Sequence, residues 1–180
     1  MNENIVLHAC CGPCASACIP VLRGKSAAVL LYFANSNIDT REEWEKRLEA
    51  AKKLAAVEGV EIVSEPYNHE EWLREVASGY ENEPEKGARC ARCFQYNIAK
   101  AVKFAAKNGF GAVTSSLTIS PHKVSAAVFK AGESAAEGSD VVFLEYDFKK
   151  KDGFLKSLAR SKELGLYRQT YCGCEFSKGA

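Results

Sequence analysis

Five short apolar stretches, at residues 5–9, 27–33, 60–63, 111–115 and 141–144, alternate with segments whose apolar positions recur at three- and four-residue steps. Nothing else in the chain limits its fold as strongly. A run such as Ala27-Ala28-Val29-Leu30-Leu31-Tyr32-Phe33 has almost no polar position, so as a strand it must be covered on both faces. Strands that alternate with helices are joined by crossovers, which makes the sheet parallel and puts helices on both sides of it. The expected fold class is α/β: a doubly wound parallel sheet of about five strands in the order 3-2-1-4-5. Helices are expected over about 15–22, 40–58, 69–77, 91–107, 121–137 and 153–164, with residues 78–89 as a polar loop. With no linker or internal repeat, residues 1–180 read as a single domain ending in a cysteine-bearing tail over about 165–180.

That strand order places the switch point between strands 1 and 4, where open α/β sheets bind ligands beyond the carboxyl ends of their strands. Strand 1 runs into Cys10-Cys11-Gly12-Pro13-Cys14: two adjacent thiols, a sharp turn, and a proline suited to the first position of a helix. Strand 4 ends in the small polar run Ser115-Ser116-Leu117-Thr118. Two further cysteine pairs, Cys90/Cys93 and Cys172/Cys174, lie far along the chain. The fold is expected to bring them to this turn.

No apolar run approaches the roughly 18 residues that a membrane helix needs. Met1-Asn2-Glu3-Asn4 has no basic leader segment, so a cytoplasmic protein with no membrane partner is expected. In a reducing compartment, eight cysteines are metal ligands or catalytic thiols rather than a disulfide framework. Net charge is only +1, but residues 41–85 carry a balance of −7 and residues 149–180 a balance of +5. A polyanion should therefore approach from the C-terminal side.

Cys90-Ala91-Arg92-Cys93 opens a long helix, where free N–H groups and the dipole favour thiolate over thiol. A second cysteine group in the same chain makes a four-thiolate site the leading reading, holding either Zn²⁺ or an iron–sulfur cluster. Neighbouring residues of an extended chain point in opposite directions, which is awkward for one tetrahedral ion and easier for a cubane with separate iron corners. Cys172-Gly173-Cys174 could close only a small, strained disulfide ring, and such rings are easily reduced. It reads as a redox dithiol or as ligands of a second metal. Cys14 and Cys18 share one helix face; Cys18 reads as core, and Cys14 as core, a supporting contact or an alternative ligand. His8 reads as a core or supporting histidine and His69 as a surface residue. His122, beside the switch point, is the candidate proton donor. Lys149, Lys150, Lys151, Lys156, Arg160, Lys162 and Arg168 could meet phosphates. No Walker A loop or GxGxxG motif supports a nucleotide cofactor.

Taken together, His8-Ala9-Cys10-Cys11-Gly12-Pro13-Cys14, Asn35-Ser36-Asn37-Ile38, Cys90-Ala91-Arg92-Cys93-Phe94, Ser120-Pro121-His122-Lys123, Asp147-Phe148-Lys149-Lys150 and Leu166-Tyr167-Arg168-Gln169-Thr170-Tyr171-Cys172-Gly173-Cys174 resemble the QueH-type epoxyqueuosine reductases. Asp39-Thr40, where a proline-containing turn is expected, and Phe176, where a tyrosine is usual, depart from the pattern without touching the cysteines. The resemblance implies a nucleotide-hydrolase-like (HUP-like) α/β fold and the last step of queuosine biosynthesis. That step removes the epoxide oxygen of epoxyqueuosine at the wobble position of a tRNA anticodon, without cobalamin. It further implies a [4Fe-4S] cluster held by Cys10, Cys11, Cys90 and Cys93, and a redox-active Cys172/Cys174 pair.

The chemistry fits these residues. Converting an epoxide to an alkene takes two electrons and two protons, and oxygen leaves as water. A cluster passes single electrons and a dithiol holds two, while an additional mononuclear iron could act as Lewis acid on the epoxide oxygen. An external electron donor is needed. The unpaired anticodon base could enter a pocket and stack on Tyr167 or Tyr171. The alternative is a zinc-stabilised tRNA-binding module without redox turnover.

Overall fold

A computed structural model describes residues 4–25 and 28–178. Five strands, β1 Ile5–His8, β2 Val29–Phe33, β3 Glu61–Ser64, β4 Ala112–Ser115 and β5 Val142–Phe143, form one sheet in the order β3-β2-β1-β4-β5. Every pairing is parallel, with His8 beside Tyr32 of β2 and Ser115 of β4. The α/β expectation and the strand order both hold. The expected start of the second strand at Ala27 lies outside the described residues.

Among the described residues the α-helices are α1 Gly12–Arg23, α2 Arg41–Glu58, α3 His69–Trp72, α4 Ala88–Lys107, α5 Ser125–Ala136 and α6 Gly153–Glu163. Leu7, Leu31, Ile19, Leu22, Leu54 and Phe148 make the core on the α1, α2 and α6 side. Val6, Tyr32, Val113, Ile98, Val102 and Val128 make it on the α4 and α5 side. Residues on the central strands alternate between these two cores, which explains why their sequences are apolar throughout.

Local chemistry sets the helix boundaries. Helix α1 begins at Gly12 because the Cys11 sulfur accepts from the Cys14 amide at 3.3 Å, with Pro13 in the first turn. Thr40 Oγ1 caps α2 by accepting from the Glu43 amide at 3.2 Å, and Gly59 closes it with φ +62°. Helix α4 starts three residues earlier than expected, since Glu83 Oε2 accepts the Ala88 amide at 3.0 Å. The helix expected over 69–77 is a short α3 that widens at residues 73–77, where the Ser78 amide reaches back to the Leu73 carbonyl at 2.9 Å. Helix α5 starts four residues later than expected. Residues 120–123 turn instead, with the Lys123 amide on the Ser120 carbonyl and the Lys149 ammonium on the Lys123 carbonyl at 2.7 Å. The fifth strand keeps two residues of the expected four, at the sheet edge.

Gly12 holds the cysteine turn against α2. A Cβ there would lie 2.6 Å from the Ala50 carbonyl oxygen and 2.9 Å from the Ala51 nitrogen, both backbone atoms that cannot swing aside. Gly12→Ala is expected to cost about 1–3 kcal/mol, as overpacking does. The loss is read as a lower urea midpoint at unchanged m-value.

Candidate active site at the switch point

The carboxyl ends of β1 and β4 are stitched together before any cysteine is reached. His8 is fully buried, with Nδ1 2.9 Å from Ser115 Oγ and Nε2 3.1 Å from the Ala34 carbonyl oxygen. Burial lowers its pKa against the opposing pull of Cys10, so it is a neutral bridge among three strands. Two residues on, the Cys10 amide donates to Ser116 Oγ at 3.0 Å, and that hydroxyl lies 3.3 Å from the Cys10 sulfur. Asn35 Nδ2 donates to the Ala9 carbonyl at 2.9 Å, fixing the same turn from the β2 side.

The sulfurs of Cys10, Cys11 and Cys14 then lie within 4.8 Å of one another, the Cys10–Cys11 pair at 4.0 Å. Three thiols so close hold a single negative charge before they hold more. Hydrogen bonds from Cys11 and Cys14, followed by the charge of Lys123, pull the Cys10 pKa well below the usual thiol range despite burial. Burial and the neighbouring Cys10 push Cys11 up to about 12, and its two sulfur neighbours push Cys14 well above the ordinary value. A soft cation on this trio replaces the protons of Cys11 and Cys14, so affinity falls as pH falls. Titrating metal-free protein with Zn²⁺ at pH 7 is expected to release about two protons per bound ion. Calorimetry in buffers of different ionisation enthalpy measures that release, and its absence would mean that the trio stays protonated.

Opposite the turn, a cavity of about 480 Å³ gathers the other cysteines. Its walls carry Cys10 and Cys14 from the turn, Cys90 and Cys93 from the start of α4, and Cys172 from the segment after α6. Cys11 is fully buried behind this wall, and Cys174 is turned away into an apolar cluster with Trp72 and Cys93. The Lys86 amide donates to the Cys90 sulfur at 3.3 Å, and Asn97 Nδ2 to Cys93 at 3.5 Å. Burial raises the pKa values of Cys90, Cys93 and Cys174 alike, and the Cys172 charge adds to the rise in each. Cys18 is core, its thiol donating to the Cys14 carbonyl at 3.2 Å.

Lys123, which the sequence did not single out, lines this cavity while its neighbour His122 is exposed at the rim. Burial works to lower the Lys123 pKa, but Cys172, Cys10, Cys14 and Cys11 overcome it and raise the pKa above the usual lysine value. A lysine next to a histidine in a polar loop gives no signal in sequence that its ammonium faces the thiols.

The basic residues of the C-terminal region divide by environment. Lys150 and Lys151 are exposed. Arg168 is exposed, lines the cavity and donates to Ser161 Oγ at 3.2 Å. Lys149 donates to the carbonyls of Ser120 and Lys123, and Arg160 is paired with Glu58 and Glu163. Tyr167 is exposed, its hydroxyl donating to Glu43 at 2.7 Å. Tyr171 lines the cavity, with its hydroxyl on Asp39 at 2.7 Å and the Arg47 guanidinium 5.2 Å from its ring centre.

Two buried residues hold the tail. Arg47 is 2% exposed: Nε pairs with Glu43 at 2.7 Å, while Nη1 and Nη2 donate to the carbonyls of Cys172 and Tyr171 at 2.8 and 3.2 Å. His69, expected on the surface, is buried, with Nδ1 2.9 Å from the Ser36 carbonyl oxygen and Nε2 3.2 Å from Glu175. Its helix-start position looked solvent-facing until the tail, more than 100 residues later, covered it. Asn35, Ser36 and Asn37 are buried too, Asn37 against Gly173 of the tail. Gly173, at φ +141°, packs where a Cβ would lie 2.9 Å from Asn37 Nδ2 and 3.2 Å from Arg47 Nη1.

Comparison with known proteins agrees with this geometry. A model of the family described as epoxyqueuosine reductase QueH matches residues 5–180. The epoxyqueuosine reductase QueH of Streptococcus pyogenes serotype M1 is 34% identical over 183 residues, covering 98% of this chain and 71% of the relative. The one from Thermotoga maritima is 32% identical over 177 residues, covering 97% and 90%. Among solved structures, the U34-tRNA thiolase NcsA from Methanococcus maripaludis with its [4Fe-4S] cluster shares the fold, with a TM-score of 0.62 at 12% identity. The likeness covers 98% of this chain and 61% of NcsA. The family match runs unbroken through every cysteine that meets at the switch point, and this chain belongs to the epoxyqueuosine reductase QueH family.

Proposed function

We propose that this chain reduces epoxyqueuosine in the anticodon of tRNA to queuosine by a cobalamin-independent route, as a cytoplasmic enzyme. One observation carries the reading: cysteines from three distant segments line a single cavity at the switch point. The donor set suits an iron–sulfur cluster, since thiolates are the ligands such clusters take and Cys10 already favours the thiolate form. Cys10 and Cys11 would hold a [4Fe-4S] cluster with Cys90 and Cys93, and Cys14 is the alternative ligand, its sulfur being within 4.8 Å of the first two. Bound there, the cluster supplies electrons one at a time.

The chain's own residues supply the rest. Oxidising the Cys172 and Cys174 thiols to a disulfide yields two electrons and two protons, the number needed to turn an epoxide into an alkene and water. An external electron donor then restores the thiols. The same two sulfurs are alternatively ligands of an additional mononuclear iron. His122 at the rim is the proposed proton donor, with the Lys123 ammonium inside the wall. Lys150, Lys151 and Arg168 would take the phosphates of the anticodon loop, and Tyr167 or Tyr171 would stack on its bases. Lys149 and Arg160 join that surface through their remaining donors.

Anaerobic purification followed by visible spectroscopy, iron analysis and turnover of epoxyqueuosine-bearing tRNA tests the reading. A broad brown absorption near 400 nm with turnover is expected. A colourless, zinc-loaded protein that binds tRNA without turnover would establish the zinc-stabilised binding module instead. Cys14→Ser and Cys93→Ser compared for iron content separate the two ligand sets.

A further inference from the structure

Two acceptors near the cavity have no donor among the described residues: Oδ1 of Asn97 and Oε1 of Gln169. Both side chains line the cavity, one from α4 and the other from the segment after α6. Asn97 projects from α4 and is 4% exposed. Its Nδ2 is already committed, donating to Asn37 Oδ1 at 3.0 Å and to the Cys93 sulfur at 3.5 Å. Gln169 comes from the tail, and its amide donates toward the Cys11 sulfur, opposing the rise that burial gives that thiol. Each amide is therefore oriented by a bond to the cysteine array and keeps a carbonyl that is closed to solvent and that a ligand O–H or N–H reaches only by entering between the side chains.

Metal does not suit these carbonyls. Amide oxygens are poor ligands for soft, thiolate-bound iron, and sulfurs surround the site already. A ligand donor does. The part of the substrate that must come among these sulfurs is the ring bearing the epoxide, a cyclopentane whose other substituents include two hydroxyls. We propose that Asn97 and Gln169 form a hydroxyl-recognition subsite that accepts hydrogen bonds from the diol of this ring and so sets the epoxide against the cysteine array. The inference rests on the reductase reading above and adds what selects the substrate. A site built to bond a hydroxyl rejects an analogue lacking it, because its buried acceptors stay unpaired.

The test uses anaerobically purified holoenzyme and two unreactive anticodon stem-loops. One carries queuosine, which keeps the diol and lacks the epoxide; the other carries 7-aminomethyl-7-deazaguanine, which lacks the ring. The wild type is expected to bind the queuosine loop at least about tenfold more tightly than the ringless loop. Asn97→Leu and Gln169→Leu should each shrink that ratio severalfold and leave affinity for the ringless loop unchanged. Iron content measured on each variant confirms that the cysteine array is intact, and if one variant fails to fold the other decides. A wild-type ratio near one, a ratio that survives in a folded variant, or equal weakening of both loops overturns the subsite. Failure of the wild type to reduce epoxyqueuosine tRNA at all would instead overturn the reductase reading, so the two failures are distinct.

Discussion

Cys172→Ser is expected to lower turnover of epoxyqueuosine tRNA by about a thousandfold or more, the scale of losing a group that bonds to or exchanges electrons with the reacting centre. Cys172 lines the cavity, whereas Cys174 does not. Serine keeps the shape and removes the redox chemistry, so binding of the tRNA, measured by gel shift or fluorescence anisotropy, should change less than threefold. Backbone support does not depend on the sulfur, because Arg47 holds the Cys172 carbonyl and the Asp39 amide holds that of Gly173. Retention of activity in the Cys172→Ser variant would remove this thiol from the mechanism in either of its proposed roles. Cys174→Ser makes the complementary case. An equal loss supports a dithiol or shared ligation, and an intact Cys174→Ser enzyme assigns the work to Cys172 alone.

Replacing Arg47 with alanine is expected to cost about 3–5 kcal/mol of stability, because it leaves the Glu43 carboxylate buried beside its missing partner. Glu43 and Arg47 are both buried, and the guanidinium also satisfies two carbonyls of the tail. For a chain of this size each kcal/mol moves the midpoint by about 2–4 °C, so a fall on the order of 10 °C is the expected readout. Arg47→Lys separates charge from geometry. Its ammonium can pair with Glu43 but lacks the planar fork that reaches both carbonyls. That variant should recover part of the stability while activity stays low, since Cys172 would no longer be held at the cavity wall. Full recovery of both would show that charge alone suffices.

The fold was largely legible because burial on both faces writes itself into sequence as unbroken apolar runs, most plainly at residues 28–33. The cysteine turn was legible because its proline and glycine leave few other conformations. The tail's partners were not. Glu43 and Arg47, four apart on α2, look like any solvated helix pair, and nothing local says that a distant segment will bury them. The same holds for His69, for the Asn35-Ser36-Asn37 loop and for Lys123. Each is polar and flanks a helix or strand, and what it meets comes from outside its own neighbourhood: His69 meets Glu175, Asn37 packs against Gly173, and Lys123 shares the cavity with Cys172. The proximity of Cys14 to Cys10 and Cys11 was half legible. The four-residue spacing to Cys18 marked a shared helix face, but the reach of the Cys14 amide to the Cys11 sulfur depends on where the helix begins.

Gly173 divides two environments. With φ at +141° and its back against Asn37 and Arg47, it sends the cysteine before it to the cavity wall and the one after it into the apolar cluster around Trp72. The two thiols therefore differ in reach. An alkylating reagent or oxidant entering from solvent meets Cys172 first, and meets Cys174 only after the tail has lifted off the cluster around Trp72.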